Sequence, residues 1–323
     1  MRTRFALLDL IARSNLDAVT ASRVWRLAGF GGPPPALLGW LRLGLGIAGA
    51  GCAGLGIMFW VAANWAVLGR FQQFALLQSL VAVLCIGTAV WPKARVPFAL
   101  LTFLATGGLL AYLGQTYQTG GDPWQLFALW AGLTLPLAWA VRADTVWAAW
   151  IVVALTAVTL WDGAHARRAW DHMGGDGSVH IVAALSAALL TASTSRPCRR
   201  HTGAGAWSFG MALVLSAVFV TTTAVRDLWD ASSPHYGFSL VLFGFAAALI
   251  GYARPFDVLA ASVVGLALNV LLVAGMAVNL FKDSQHLISS LLLIGVAAAG
   301  LLALTVTLIM AGMRRPAWNG ESA

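Results

Sequence analysis

LISSLLLIGVAAAGLLALTVTLIMAGM, residues 287–313, runs for 27 positions without one charged side chain. A helix needs about 20 predominantly apolar residues to cross the hydrocarbon core of a bilayer. This run is long enough, and the chain repeats the pattern. Similar apolar runs occupy 43–68, 74–91, 97–114, 124–141, 145–161, 179–194, 207–225, 236–252 and 258–281. The shortest, 145–161 and 179–194, lie at or below the lower limit of about 17 residues; they fit tilted, kinked or partly interfacial segments.

Composition agrees. The chain of 323 residues is 59% hydrophobic and 10% charged, whereas a soluble domain carries about a quarter charged residues. So few charges cannot coat a water-facing surface of this size, and lipid must be the solvent for most of it. The apolar runs are continuous and rich in Ala, Leu and Gly, which excludes the alternating pattern of a β-barrel. The predicted fold is an all-α, polytopic transmembrane helical bundle of about ten spans. Its expected divisions are residues 1–41, a cytoplasmic amphipathic helical hairpin with a Pro/Gly linker; 42–313, the transmembrane helical domain; and 314–323, a cytoplasmic tail.

The first division differs from the rest. Residues 5–12 and 16–27 read as two short amphipathic helices, with Ser14 as N-cap and Asp17 near the positive end of the helix dipole. Leu16, Val19, Val24 and Leu27 form an apolar stripe, and Arg23 and Arg26 face away from it. GFGGPPP, residues 29–35, ends the hairpin. No cleavable leader is expected, since the N-terminus lacks a long apolar core and a small-residue cleavage site. The hairpin reads as a packing element rather than a DNA-binding helix pair. In GLGIAGAGCAG, Gly46, Ala50 and Gly54 recur every fourth residue, a spacing that lets membrane helices approach closely; a buried first span is expected.

The net charge of +8 is an address. With the N-terminus inside, 15 of the 20 basic residues fall in inner segments; Arg70, Arg167, Arg168, Arg226 and Lys282 fall outside. That bias, spread over short loops, puts both termini of the multi-pass chain on the cytoplasmic side of its membrane. The basic residues then meet anionic lipid, and no nucleic-acid partner is expected.

Chemistry-bearing motifs are scarce. Cys52, Cys85 and Cys198 form no CxxC pair, so neither a disulfide framework nor a zinc site is expected. WDGAHARRAWDHMGGDGSVH, residues 161–180, holds three histidines and three aspartates but matches no metal-ligand spacing. It reads as a solvated loop, and no metal or cofactor is expected. No phosphate-binding glycine loop, HExxH or nucleophile elbow occurs, so the chain is expected not to be an enzyme. No carboxylate is placed inside a span, which counts against a proton-coupled pump. Asn269, deep in the run 258–281, fits an interhelical hydrogen bond.

One polar stretch stands out. GQTYQTGGDPWQLF, residues 114–127, lies between two spans at the outer side. Its second half is a helix start: Gly120 and Gly121 turn the chain, Asp122 is the N-cap, Pro123 occupies the first turn, and Gln125 completes a capping box. Its first half has no such explanation. Gln115, Tyr117 and Gln118 fall at the same level as Asn64 and Trp65, which end the first span, Gln72 and Gln73, which open the second, and Trp124. Buried amides must be paired. These residues fit mutual satisfaction of helix ends within an aromatic belt. They also fit a site for a neutral polar ligand made of Asn64, Trp65, Gln72, Gln115, Tyr117, Gln118 and Trp124.

GLGIMFWVAANW (54–65), LGQTYQTGGDPWQLFALWAGLTLPLAWAVR (113–142) and the short N-terminal hairpin together resemble the bacterial family called domain of unknown function 2157, over about residues 5–145. The resemblance implies a multi-pass inner-membrane protein. It marks Asn64, Trp65, Gly114, Gln115, Tyr117 and Trp124 as motif positions and implies no role for any of them. The function expected from the residues is that of a non-enzymatic binding or scaffold protein with a polar and aromatic site at its outer face. Its partners are membrane lipid and either another envelope protein or a neutral polar envelope ligand. The alternative is a transporter or a lipid or glycan flippase.

Overall fold

The computed structural model describes residues 7–314 except 8, 12, 15, 29–36, 65, 66, 118, 119, 171–177, 230–233, 254, 255 and 284–286. The described residues are helical and contain no strand. The helices are α1 (Ala18–Leu27), α2 (Leu37–Ala63), α3 (Arg70–Val90), α4 (Arg95–Tyr117), α5 (Pro123–Val141), α6 (Asp144–Trp170), α7 (Ser178–Ser193), α8 (Arg199–Thr202), α9 (Ala206–Arg226), α10 (His235–Tyr252), α11 (Val258–Asp283) and α12 (Leu287–Arg314). Nine of them are long and apolar enough to cross a membrane, and α7, with 16 residues, is an apolar helix below that length. The protein is therefore the all-α polytopic bundle expected, with nine candidate spans and the shorter apolar α7 among the described residues. The run 145–161 is the middle of a longer helix, of which Asp144–Ala166 is spanning length.

The chain forms two compact units, Met1–Ile57 and Met58–Ala323. In the first, α1 begins at Ala18, so Asp17 rather than Ser14 is the residue before the helix. Hydrogen bonding from the Thr20 side chain and from the Val19 and Thr20 amides holds the Asp17 carboxyl below the usual carboxylate range, the Thr20 hydroxyl contributing most. That is how an N-cap carboxylate at a helix N-terminus behaves. The Pro/Gly segment 29–35 lies outside the described residues. Along α2, Gly46, Ala50 and Gly54 fall on the least exposed strip of the helix.

In the second unit, successive long helices pack as antiparallel neighbours: α3 on α4, α4 on α5, α5 on α6, α6 on α7, α10 on α11 and α11 on α12. Helix α9 lies centrally, against α6, α7 and α11. The core sits among these helices, with Ile151, Val146, Val264 and Leu271 almost wholly enclosed. Helix α12 packs along α11, and its most apolar stretch presents no buried residue, as a lipid-facing helix would.

Tryptophan indoles tie the core together. Trp130 Nε1 donates to the Phe103 carbonyl at 3.0 Å, joining α5 to α4, and Trp150 Nε1 donates to the Ala131 carbonyl at 2.8 Å, joining α6 to α5. A Cβ at Gly107 would run into the Trp130 ring, so that glycine is what lets the indole lie flat against α4. At the end of α8, the carbonyls of His201 and Thr202 accept from Trp139 and Trp147, at 3.1 and 2.7 Å.

Alternation of the helices sorts the loops of this unit into two ends. One end, here the basic end, holds Lys93, Arg95, Arg142 and the segment 194–205. At its centre Asp144 accepts from the amides of Gly205 (2.8 Å), Trp207 (2.9 Å) and Ser208 (2.9 Å). A carboxylate on α6 thereby caps the N-terminus of α9, whose first amides have no partner within their own helix. The close fit requires Gly205, where a Cβ would meet the Asp144 carboxylate, and Gly203 (φ 73°), where a Cβ would meet Arg142.

Candidate functional site

The opposite end carries the residues singled out in the sequence. Asn64 Nδ2 donates to the Trp60 carbonyl one turn back, at 2.9 Å. Gln72 Oε1 accepts from the Gly69 amide at 3.1 Å, closing the first turn of α3. Gln115 is exposed near the end of α4. Trp65, Gln118 and the side chain of Tyr117 lie outside the described residues. Asp122 does precede α5 and Pro123 does open it, after a turn at Gly120 (φ 59°), but no side-chain cap bond forms. The two described amides of the predicted set that are hydrogen-bonded are satisfied inside their own turns, and no hydrogen bond joins any two of Asn64, Gln72, Gln115 and Trp124.

The neighbour of Gln72 does cross between helices. Gln73 is buried, and its Oε1 accepts from the Tyr112 hydroxyl at 2.6 Å. The Phe74 ring lies 4.6 Å from that of Tyr112. A glutamine on α3 and a tyrosine on α4 thus form an enclosed polar tie, which is how an amide is kept inside a membrane bundle.

Trp124 leads elsewhere. Its ring meets His165 edge-on at 5.8 Å, and His165 lies 4.7 Å from the Trp161 ring. Its Nε1 is buried without a hydrogen-bond partner among the described residues. Both His165 and Trp161 belong to α6, and this corrects the reading of 161–180 as a solvated loop for 161–170 and 178–180, while 171–177 lie outside the described residues. The helix continues to Trp170, and α7 begins at Ser178. Asp162 therefore sits two turns inside a helix and is only 4% exposed.

Asp162 anchors a polar network that joins several helices. His180 Nδ1 donates to Asp162 Oδ1 at 2.7 Å, and His180 Nε2 faces Asp227 Oδ1 at 3.9 Å. The His180 ring lies 5.2 Å from the ring of His235. His235 is fully enclosed, and its Nε2 lies 3.1 Å from Thr223 Oγ1. Thr223 has one proton and also lies 3.0 Å from the Phe219 carbonyl. The arrangement is complete when Thr223 donates to that carbonyl and His235 donates to Thr223. One turn beyond His235, Ser239 Oγ is buried without a hydrogen-bond partner among the described residues. Four elements meet here: α6, the first turn of α7, the end of α9 with the short 3₁₀ turn Asp227–Trp229, and the first turn of α10.

The arrangement can hold, share and relay protons. It offers an ionisable carboxylate, two imidazoles and a hydroxyl within hydrogen-bond or ring-contact distance. Among the described residues, no group of three or more histidine, cysteine or acidic side chains is arranged to hold a metal ion. Sequence reasoning found the histidines but not their meeting. The available signal was placement, since His180 falls in the first turn of an apolar run and His235 immediately precedes one, where a polar side chain is next to a helix end rather than in a loop.

No curated protein and no solved structure matches the chain. The buried network lies beyond the stretch that a family model does cover, whereas Asn64, Gln72, Gln115 and Trp124 lie within it. Residues 9–147 match the model of the family described as predicted membrane protein (DUF2157), so the resemblance read over about residues 5–145 is borne out for that segment.

Proposed function

We propose that the protein is a non-enzymatic binding or scaffold protein of the bacterial inner membrane, with both termini cytoplasmic. Its ligand-facing end is the one that holds Gln115, Trp124 and the Asp162–His180–His235 network. The carrying observation is the 2.7 Å hydrogen bond between Asp162 and His180, with Asp162 enclosed in a helix of spanning length. Ionisable groups inside a membrane bundle are costly and mark functional positions by default. The exposed Gln115 and the partly enclosed Trp124 supply the kind of neutral polar and aromatic surface that a sugar, headgroup or envelope protein would meet. The bias of 15 basic residues against 5 supports an orientation with this end toward the periplasm.

A second reading, a proton-coupled transporter or flippase, draws on the same buried carboxylate, because embedded acid–histidine chains carry protons in pumps. Four charged or titratable groups bear on His180: Asp162 from α6, Arg226 and Asp227 from the end of α9, and His235 from α10.

Two measurements separate the readings. The first places a photo-crosslinking residue at position 115 in cells. A crosslinked envelope component that Asp162→Asn abolishes is the expected result for a binding protein. The second reconstitutes the chain in vesicles containing a pH-sensitive dye under an imposed pH gradient. Proton flux above that of empty vesicles, lost in Asp162→Asn, replaces the binding reading with the transporter. Neither a crosslink nor flux removes both.

A further inference from the structure

Two cavities open at the basic end. One, of ≈ 580 Å³, is lined by Arg196, Pro197, Arg200, His201 and Ala253. The other, of ≈ 370 Å³, is a mostly apolar groove among α10, α11 and α12, lined by Ile250, Gly251, Phe256, Leu301 and Gly312 among others; its two polar side chains, Asn269 and Thr305, are hydrogen-bonded to each other at 3.0 Å. Gly251 and Ala253, two residues apart at the end of α10, bring the two mouths together. Along α12 the groove extends from Gly312 to Leu301, roughly 16 Å at 1.5 Å per residue, about half the ~30 Å hydrocarbon thickness of a bilayer.

The charges around the first cavity are poorly balanced. Arg196 lies 3.3 Å from Asp257, whose other oxygen accepts from the Ala260 amide at 3.2 Å. Arg200 and His201 are exposed and have no carboxylate partner among the described residues. Asp144, the next acid at this end, is committed to the α9 amides. The level is that of a membrane interface, since Trp139 and Trp207 are 50% and 72% exposed here and exposed tryptophans gather at headgroup depth.

We propose that this end of the bundle binds an anionic phospholipid, with its phosphate at Arg196, Arg200 and His201 and one acyl chain in the groove past Gly251. Guanidinium forks match phosphate oxygens, and basic pockets between membrane helices hold anionic headgroups. The groove supplies what a free phosphate would not need, an apolar channel one leaflet deep. It exists because Gly251 and Gly312 present no side chains. A Cβ at Gly251 meets open space, so Gly251→Leu fills the groove without a clash at its first atom, whereas a Cβ at Gly312 would strike the Phe256 ring.

The test is native mass spectrometry of the full chain released from nanodiscs of equal parts phosphatidylglycerol and phosphatidylcholine, with inorganic phosphate as competitor. Retention of phosphatidylglycerol over phosphatidylcholine by at least about fivefold is expected for the wild type. Arg200→Gln with His201→Gln, both exposed, is expected to bring that ratio close to one at unchanged thermal stability. Gly251→Leu is expected to lower retention of both lipids. Equal retention of the two lipids by the wild type, or a preference that survives Arg200→Gln with His201→Gln, overturns the proposal. Displacement of the lipid by millimolar inorganic phosphate, with Gly251→Leu unchanged from wild type, also overturns it, in favour of a free-phosphate site. Should Gly251→Leu reduce thermal stability, the Arg200 and His201 pair decides alone.

Discussion

At the scale of single residues, the sharpest constraints come from what stands beside a missing side chain. The Trp130 indole occupies the space a Cβ at Gly107 would take and donates to Phe103 from there. Gly107→Ala is therefore expected to destabilise the protein by about 1–3 kcal/mol, the usual cost of overpacking. Thermal unfolding in detergent measures it, and adding Trp130→Phe should recover part of the loss if the clash is the cause. Asp144 gives a second case. Its three amide hydrogen bonds are charge-assisted, and each such bond contributes roughly 1.5–3 kcal/mol in a protected setting. Asp144→Ala is expected to lower the unfolding midpoint more than Asp144→Asn, because the amide oxygen of asparagine still accepts. Asp17 is exposed and makes a pH prediction instead. Its carboxyl is held below the ordinary range by the Thr20 hydroxyl and the first amides of α1. The cap's contribution is thus complete above the ordinary carboxylate value and is lost as pH falls from there through the lowered one. Amide exchange at Thr20 should accelerate, relative to its intrinsic rate, across that acidic window in the wild type and show no such step in Asp17→Asn.

At the scale of elements, hydropathy located the helices more faithfully than it ended them. The apolar run 145–161 stops at Trp161, yet α6 continues to Trp170. Apolar residues report where lipid ends, whereas a helix ends where its backbone finds other partners. Asp162, Gly163 and His165 looked like loop for that reason. In the structure all three lie within α6, where Asp162 meets His180 of α7 and His165 packs against the Trp124 ring. The same logic covers the converse error at Ser14: the sequence marks a stop between two short amphipathic helices, but the backbone begins the second one at Ala18, after Asp17. An element-level experiment follows from the continuity of α6. Spin labels at positions 152 and 166, fourteen residues apart, should report about 21 Å between their backbone positions if the helix is unbroken at 1.5 Å per residue. A broad distribution would return 162–170 to a loop.

At the scale of the whole molecule, the fold was legible and the site was not, for one physical reason. Lipid-embedded helices are apolar on nearly every face, so sequence counts them without saying which face turns inward. Length, charge bias and apolar runs are one-dimensional signals and survive in the sequence. The meeting of Asp162, His180, Asp227 and His235 depends on how α6, α7, α9 and α10 are rotated and packed, which those signals do not carry. The predicted rim illustrates the limit. Asn64 and Gln72 each spend the amide on their own turn, while Gln73, one position along, makes the interhelical bond. Orientation is the remaining global quantity, and it is open to a direct check. Alkaline phosphatase fused after residue 203 should be inactive and after residue 232 active if the basic end is cytoplasmic; the reverse pattern would invert the chain.

The cap that Asp144 places on α9 has a consequence in time. Its first recipient amide lies 61 residues further along the chain. At a synthesis rate of about 5–20 residues per second, that amide emerges roughly 3–12 s after the carboxylate. During the interval α6 must already hold its level in the membrane, with Asp144 hydrated at the interface, for the cap to find α9 when it arrives. A pause in translation between these positions should be harmless, whereas reversing the order of the two helices in a permuted chain should slow assembly, because the amides would then wait for their acceptor.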